Sequence, residues 1–292
     1  MKKIILLFIL LGTFSLLQAR SFDVETAYTG SSRFDKVHAM ATAAVNLNMQ
    51  AGLEATYANE HHSFKHPIYS VALPMFFDFD LIQFEFRPFY YFKNKSSLEG
   101  IQNASAFGLQ TQFVLPLNED TVDDLYTRAF IGVSFARQKG TAFYDNNEVD
   151  NRYYSQFAYT LGLQQDLYRA FSFHLAGSVF QYPDGISKVD GFYGVMDQQE
   201  LADLQTLDIV HQLPKYTAAA RLTRLWADNG SSFYLGYRFG EYYTADSEHS
   251  VIVGNSFPIT QQAKFGLAYN HVRSTHGKNK RDIWQARVSI SF

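Results

Sequence analysis

Apolar and polar residues alternate with a period of two through nearly the whole chain, and this alternation constrains the fold more than any other feature. In Leu81 to Lys93, Ile82, Phe84, Phe86, Pro88, Tyr90 and Phe92 share one face, while Gln83, Glu85, Arg87 and Lys93 share the other. Successive side chains of a strand point to opposite faces, so such a segment has one apolar and one charged side. The pattern returns in Leu125 to Phe135, with Ala129, Ile131, Val133 and Phe135 opposite Arg128, Gly132 and Ser134. It returns again in Ser232 to Phe239, in Gln262 to Asn270, and in Ile283 to Phe292.

Alternation of this kind also occurs in soluble sandwiches, where the apolar face is a core. Three features point instead to a membrane barrel. The alternating segments run about 10–14 residues, whereas strands of globular proteins run about 5–6. Their polar face carries Arg and Glu at mid-strand beside Gly, Ser and Gln, as a wet lumen requires. Their apolar face is rich in Phe and Tyr near the segment ends, with Trp226 and Trp284 placed to join aromatic girdles at the two membrane interfaces. Tilted strands of about 9–11 residues cross a bilayer, and barrel closure satisfies the backbone groups that lipid cannot.

The start of the chain reads as an export address. Lys2 and Lys3 precede an almost wholly apolar run, Ile4 to Leu17, and Ala19 supplies a small residue for cleavage. The run is too short for the roughly 20 residues of a spanning helix. Residues 1–19 are therefore expected to be a signal peptide, and 20–292 an outer-membrane barrel. With no cysteine, disulfides and thiolate chemistry are excluded. A net charge of −3 gives no basic excess for nucleic acid.

Bacterial single-chain barrels have an even number of strands. The alternation marks strands at 22–30, 36–47, 49–59, 67–77, 81–93, 103–115, 125–138, 152–165, 170–182, 214–227, 231–243, 249–257, 261–273 and 282–292. The segment 249–257 has the weakest pattern, and parity retains it. The expected fold is thus all-β, a transmembrane antiparallel up-and-down β-barrel of about fourteen strands. Connections alternate between short turns, such as Asn46 to Asn48 and Asp228 to Gly230, and longer outer loops, the longest being Pro183 to Leu213. Short periplasmic turns and long extracellular loops are the outer-membrane arrangement.

With Phe292 last and Val288 and Ile290 alternating before it, the chain resembles the bacterial outer-membrane β-barrel superfamily, whose members commonly end in a phenylalanine that helps direct assembly. In strand number and length it is similar to the small monomeric porins of fourteen strands. The resemblance covers 20–292 and rests on pattern, not on a family motif. It implies residence in the outer membrane of a Gram-negative bacterium, and as partners outer-membrane lipid, lipopolysaccharide and the barrel assembly machinery. Fatty-acid transport barrels also have fourteen strands, with an amino-terminal hatch. Here the first strand pattern begins at Phe22 and leaves no room for a plug.

Alternation also assigns the lumen. Asp23, Glu25, Glu54 and Glu85 are expected to point inward, with Arg87, Arg128, Arg221, Arg238, Lys264 and Arg287. Pairing of the first and last strands would bring Arg287 onto the face that holds Asp23 and Glu25. Six bases against four acids lean toward anions. The acidic loop 183–213, with Asp184, Asp190, Asp197, Glu200, Asp203 and Asp208, leans toward cations. Within it, Val195 to Leu204 has helical spacing and could fold inward or lie over the mouth.

Three groups of residues superficially match enzymatic or metal constellations. Asp78 and Asp80 with Asp208 and His211 superficially match the omptin proteases, but the topology puts the two pairs on opposite sides of the membrane. His174 and Ser178 share a strand face four residues apart, roughly 13 Å along an extended chain. His61, His62 and His66 share a loop but have no defined fourth ligand for a metal. No catalytic residue, metal or cofactor is assigned. The expectation is a passive porin for small hydrophilic solutes or ions. A barrel hydrolase acting on lipid or peptide, and a closed barrel serving as adhesin or anchor, remain as alternatives.

Overall fold

The computed structural model describes residues 21–32, 34–60, 67–79, 82–94, 101–120, 125–143, 149–168, 170–185, 213–226, 230–243, 246–276 and 280–292. They form a closed antiparallel barrel of fourteen strands. The strands are β1 (Phe22–Gly30), β2 (Phe34–Asn46), β3 (Met49–Glu60), β4 (Ile68–Ala72 and Met75–Phe79), β5 (Ile82–Asn94), β6 (Ile101–Asp120) and β7 (Leu125–Phe143). They continue as β8 (Val149–Tyr168), β9 (Phe171–Gln181), β10 (Pro214–Trp226), β11 (Ser231–Tyr242), β12 (Glu248–Pro258), β13 (Ala263–Ser274) and β14 (Lys280–Ser291). Each pairs with its sequence neighbours, and β1 pairs with β14 from Asp23↔Ser291 to Gly30↔Trp284. Phe22 and Phe292 exchange two backbone hydrogen bonds of 3.2 and 2.8 Å and set their rings 6.2 Å apart at a tilt of 37°, so Phe292 lies on the seam. The weakest sequence pattern, 249–257, forms β12. Residues 1–19, and with them the expected signal peptide, lie outside the described residues.

The register sorts the side chains cleanly. Leu161, Leu235, Phe113, Tyr237 and Trp284 all stand on the outer face and are exposed. An apolar surface wrapped around a whole molecule is untenable in water and is what lipid solvates. Trp226, at the end of β10, and Trp284, near the start of β14, both face outward at opposite ends of the barrel. The inner face gathers an apolar cluster of Phe34, Ala58, Ile68, Ala268, Val272 and Ile283 from both sides of the seam, with Tyr91 and Tyr234 packed against it. Ile283 is fully buried there.

Two features depart from the sequence expectation. The strands β6, β7 and β8 have 20, 19 and 20 residues, longer than the expected 103–115, 125–138 and 152–165. The extension Asn118-Glu119-Asp120, paired with Leu125 to Thr127, is polar at every position in sequence. Alternation marks only the part of a strand that has one face in lipid, so pairing beyond the membrane leaves no such trace. Strand β4 breaks at Leu73-Pro74 because proline has no N–H to give the ladder. The register is the same on both sides of the break, and the flanking bonds hold: Gly52 N donates to Pro74 O at 2.8 Å and Leu73 N to Pro88 O at 3.0 Å.

Candidate functional site in the barrel interior

The register puts all ten of the charged residues named from alternation on the inner face. Asp23 pairs with Thr42, Glu54 with Met40 and Glu85 with Gln112, while Arg128 pairs with Gln164 and Lys264 with Ser289. Their distribution is uneven around the wall. The four acids stand on β1, β3 and β5, whereas five of the six bases stand on β7, β10, β11, β13 and β14. The sixth, Arg87 on β5, is held by the acidic wall: its Nε and Nη2 donate to Glu54 at 2.8 and 2.5 Å, and Nη1 donates to Gln110. His38 Nε2 lies 3.2 Å from the same Glu54 carboxylate. Arg287 reaches across the seam to Glu25, as strand closure required.

A third inner-face ion pair leaves no trace in the alternation. Arg281 on β14 donates to both oxygens of Glu248 on β12 at 2.7 Å, and both side chains are well shielded. Each lies one residue outside the strand that alternation marks, at the margin where the pattern fades. Their separation along the chain removed any local signal. The strands expected over 249–257 and 282–292 begin at Glu248 and Lys280 in the structure, which corrects those two boundaries and takes both residues in.

On the basic side, a cavity of about 230 Å³ is lined by Arg221, Arg238 and Arg287 together with Thr223, Tyr234 and Gln285. The Arg221 guanidinium lies over the Tyr234 ring, 5.6 Å from its centroid, a cation–π contact. Arg238 Nη1 stands 3.5 Å from the Tyr242 hydroxyl. Along this wall Ser232 and Ser256 bond each other at 2.8 Å, and Gln285 Nε2 donates to Thr29 at 3.2 Å.

Of the hydrolase candidates, His174 and Ser178 are both described, and they do not converge. Ser178 shares a 2.6 Å hydrogen bond with Thr160 across the β8–β9 pair, and the His174 ring stacks against Phe130 at 6.4 Å. Both side chains are thus engaged with the wall and not with each other. Asp78 sits at the end of β4 opposite Gln83, while Asp80, Asp208 and His211 lie outside the described residues. So do His61, His62 and His66, and most of the loop 183–213, including Val195 to Leu204, whose spacing suggested a helix. Among the described residues no group of His, Asp and Glu is placed to hold a metal. The start of the loop is anchored: Tyr182 donates to Pro214 O at 2.9 Å, and Ser155 N donates to Asp184 at 2.7 Å.

The sequence matches no protein-family model, and no curated protein matches it either. Solved structures do resemble it. The CymD monoaromatic hydrocarbon channel superposes with a TM-score of 0.52 at 7% identity, over 95% of this chain and 90% of that one. This chain has the fold of the fourteen-stranded outer-membrane channels. The toluene transporter TodX of Pseudomonas putida superposes with a TM-score of 0.50 at 10% identity, over 94% of this chain and 89% of that one. A KdgM porin covers 92% of this chain and 99% of itself, with a TM-score of 0.45 and 7% identity. At such identities the likeness is one of fold. The solutes printed in the first two names, a monoaromatic hydrocarbon and toluene, belong to those proteins, and the barrel architecture does not carry them to this chain.

Proposed function

We propose that this chain is a porin-like channel of the bacterial outer membrane, through which small hydrophilic solutes or ions diffuse passively. The observation that carries the reading is a closed barrel with an apolar outer face and ten charged side chains on its inner face, at positions where a soluble β-protein would place its core. Interior charge in a membrane barrel is costly unless water reaches it, and a hydrated interior is a conduit. The channels among its structural neighbours agree with that reading at the level of fold. The ten residues, Asp23, Glu25, Glu54, Glu85, Arg87, Arg128, Arg221, Arg238, Lys264 and Arg287, then line the path. Trp226 and Trp284 mark the two interfaces, and Phe292 serves recognition by the assembly machinery. Outer-membrane lipid and lipopolysaccharide surround the barrel.

A closed barrel acting as an anchor is the second reading, and the apolar cluster around Ile283 favours it. Conductance of the refolded protein in a planar lipid bilayer separates the two. Discrete current steps, with a reversal potential under a salt gradient, are expected of the channel. A correctly folded barrel that passes no current would overturn the channel reading in favour of the anchor.

A further inference from the structure

On the outer face, basic residues stand side by side across three neighbouring strands. His249 on β12 is directly opposed by Arg273 on β13, and Arg273 in turn by Lys280 on β14. In the row below, His271 is opposed by Asp282, and in the next Tyr269 is opposed by Trp284. Val251 and Trp284 are exposed on the outer surface, and two-residue steps along the strands put the basic row on that same face. A sheet ordinarily sets opposite charges or packing partners at opposed positions, and like charges there are destabilising. Arg273 beside Lys280 therefore costs stability unless an anion lies between them.

Among the described residues neither Arg273 nor Lys280 makes a hydrogen bond or an ion pair. Lys280 is within electrostatic reach of Asp282, but that carboxylate accepts from Tyr269 at 2.5 Å and meets His271 at 2.8 Å. Glu241, at the same rim on β11, accepts from Lys215 at 2.9 Å and from Tyr216. Asp246, ahead of β12, lies 3.0 Å from His276. Two other bases of this rim, Arg137 and Lys139 on β7, lie 5.0 and 5.6 Å from the centroid of the Tyr153 ring. His249 meets the Tyr237 hydroxyl through Nδ1 at 2.5 Å, which leaves Nε2 for a further contact.

The row also lies at a definite height. Lys280 is four residues from Trp284, roughly 13 Å along the strand and about 10 Å along the barrel axis at a tilt of about 40°. A headgroup layer of about 5–8 Å lies outside each edge of the hydrocarbon core. With Trp284 at that edge, the row stands at the outer side of the headgroups, and the long stems of arginine and lysine span the remainder. This is the end of the barrel at which β9 and β10 are joined through 182–213, the long-loop end that faces outward in outer-membrane barrels.

We propose that His249, Arg273 and Lys280 form a docking site on the outer wall for the phosphate group of an outer-leaflet lipid. The guanidinium offers a planar fork of donors to the phosphate oxygens, and the ammonium adds a mobile one. The acyl chains of the same lipid lie below, against the exposed Trp284, Val251 and Leu267. The proposal rests on the outer-membrane channel reading and deepens it by naming where the wall holds a lipid.

The test titrates the detergent-solubilised full barrel with purified lipopolysaccharide, with the same lipopolysaccharide after dephosphorylation, and with inorganic phosphate. Binding is followed by the fluorescence of Trp284 in a Trp226→Phe background, and conductance in a planar bilayer is recorded in parallel. Saturable binding of the phosphorylated lipid is expected, with little for the dephosphorylated lipid or the free ion. Arg273→Gln combined with Lys280→Gln, verified as folded by its heat-dependent gel shift, should weaken lipid binding by about tenfold or more. Arg224→Gln, at the opposite rim, should leave it unchanged. Equal binding of the dephosphorylated lipid, or binding unchanged in the double variant, would overturn the site. An equal loss in Arg224→Gln would do the same, since charge alone would then draw the lipid. Inorganic phosphate bound as tightly as the lipid would overturn the lipid as occupant. Each of these results, with current steps intact, leaves the channel reading standing. The expected lipid binding by a barrel that passes no current would support the site and overturn the channel.

Discussion

The guanidinium of Arg287, on the last strand, donates to the carboxylate of Glu25 on the first, so an ion pair spans the line along which the barrel closes. The two residues are diagonal neighbours: Arg287 is opposed by Ala27, and Glu25 by Ser289. Diagonal side chains on one face lie within reach of a long residue. Residues at opposite ends of the sequence therefore hold one another only once every intervening strand is in register.

This seam pair should have a measurable but modest worth. Arg287 keeps 38% of its side chain exposed, so water screens the interaction. Glu25→Gln and Arg287→Gln are each expected to cost about 1 kcal/mol. A double-mutant cycle by urea unfolding in lipid vesicles should show the two losses to be coupled. Strictly additive losses would mean that the pair contributes nothing to closure.

The Glu54–Arg87 pair lies deeper and should behave differently. Glu54→Gln leaves the Arg87 guanidinium without its two charge-assisted bonds and also removes the partner of His38. A loss of about 3 kcal/mol is expected, because an uncompensated charge remains shielded from water. The double variant Glu54→Gln with Arg87→Gln should be more stable than Glu54→Gln alone. If the double variant is the less stable one, the pair is not governed by desolvation.

Gly108 should tolerate no side chain. A Cβ there would come within 2.2 Å of the Phe135 carbonyl oxygen and 2.3 Å of the Phe89 ring. Gly108→Ala is expected to cost about 1–3 kcal/mol through overpacking. Adding Phe89→Leu should recover only part of that loss, since the backbone oxygen cannot withdraw as a ring can. Full recovery in thermal unfolding would show that the ring alone sets the limit.

The two tryptophans give a direct reading of how the barrel sits in lipid. Trp226 lies at one end, 5.0 Å from the Arg224 guanidinium, and Trp284 lies toward the other, 4.5 Å from the Tyr269 ring. Single-tryptophan variants made by Trp226→Phe and Trp284→Phe, reconstituted with brominated lipids, should each be quenched most strongly by bromine near the headgroups. Stronger quenching by bromine at the acyl-chain ends would place the residue at the bilayer centre and remove it from a girdle.

Much of this protein is written locally. One face in lipid and one toward water force a period of two, so the alternation in Leu81 to Lys93 or Ile283 to Phe292 carries both the strand and the direction of each side chain. That is why all ten charged residues named from the sequence stand on the inner face, and why parity was enough to retain 249–257. Where the membrane ends, both faces of a strand meet water and the code lapses. The extensions of β6 to β8 lie beyond the alternating segments, and the Arg281–Glu248 pair lies at their margin.

Placement around the circumference is a different kind of information. Alternation says that Arg221, Arg238 and Arg287 face inward, but not which residues oppose them. Only the register, set by strand pairing across the sheet, puts Arg221 between His174 and Gly236, puts Arg238 between Ala219 and Ser250, and gathers the acids on β1, β3 and β5. The sequence by itself determined a barrel, its inside and its outside, because lipid imposes those demands on each residue separately. The tertiary structure alone decided which charges neutralise one another and where the wall leaves room, because those depend on pairs of residues that the chain keeps far apart.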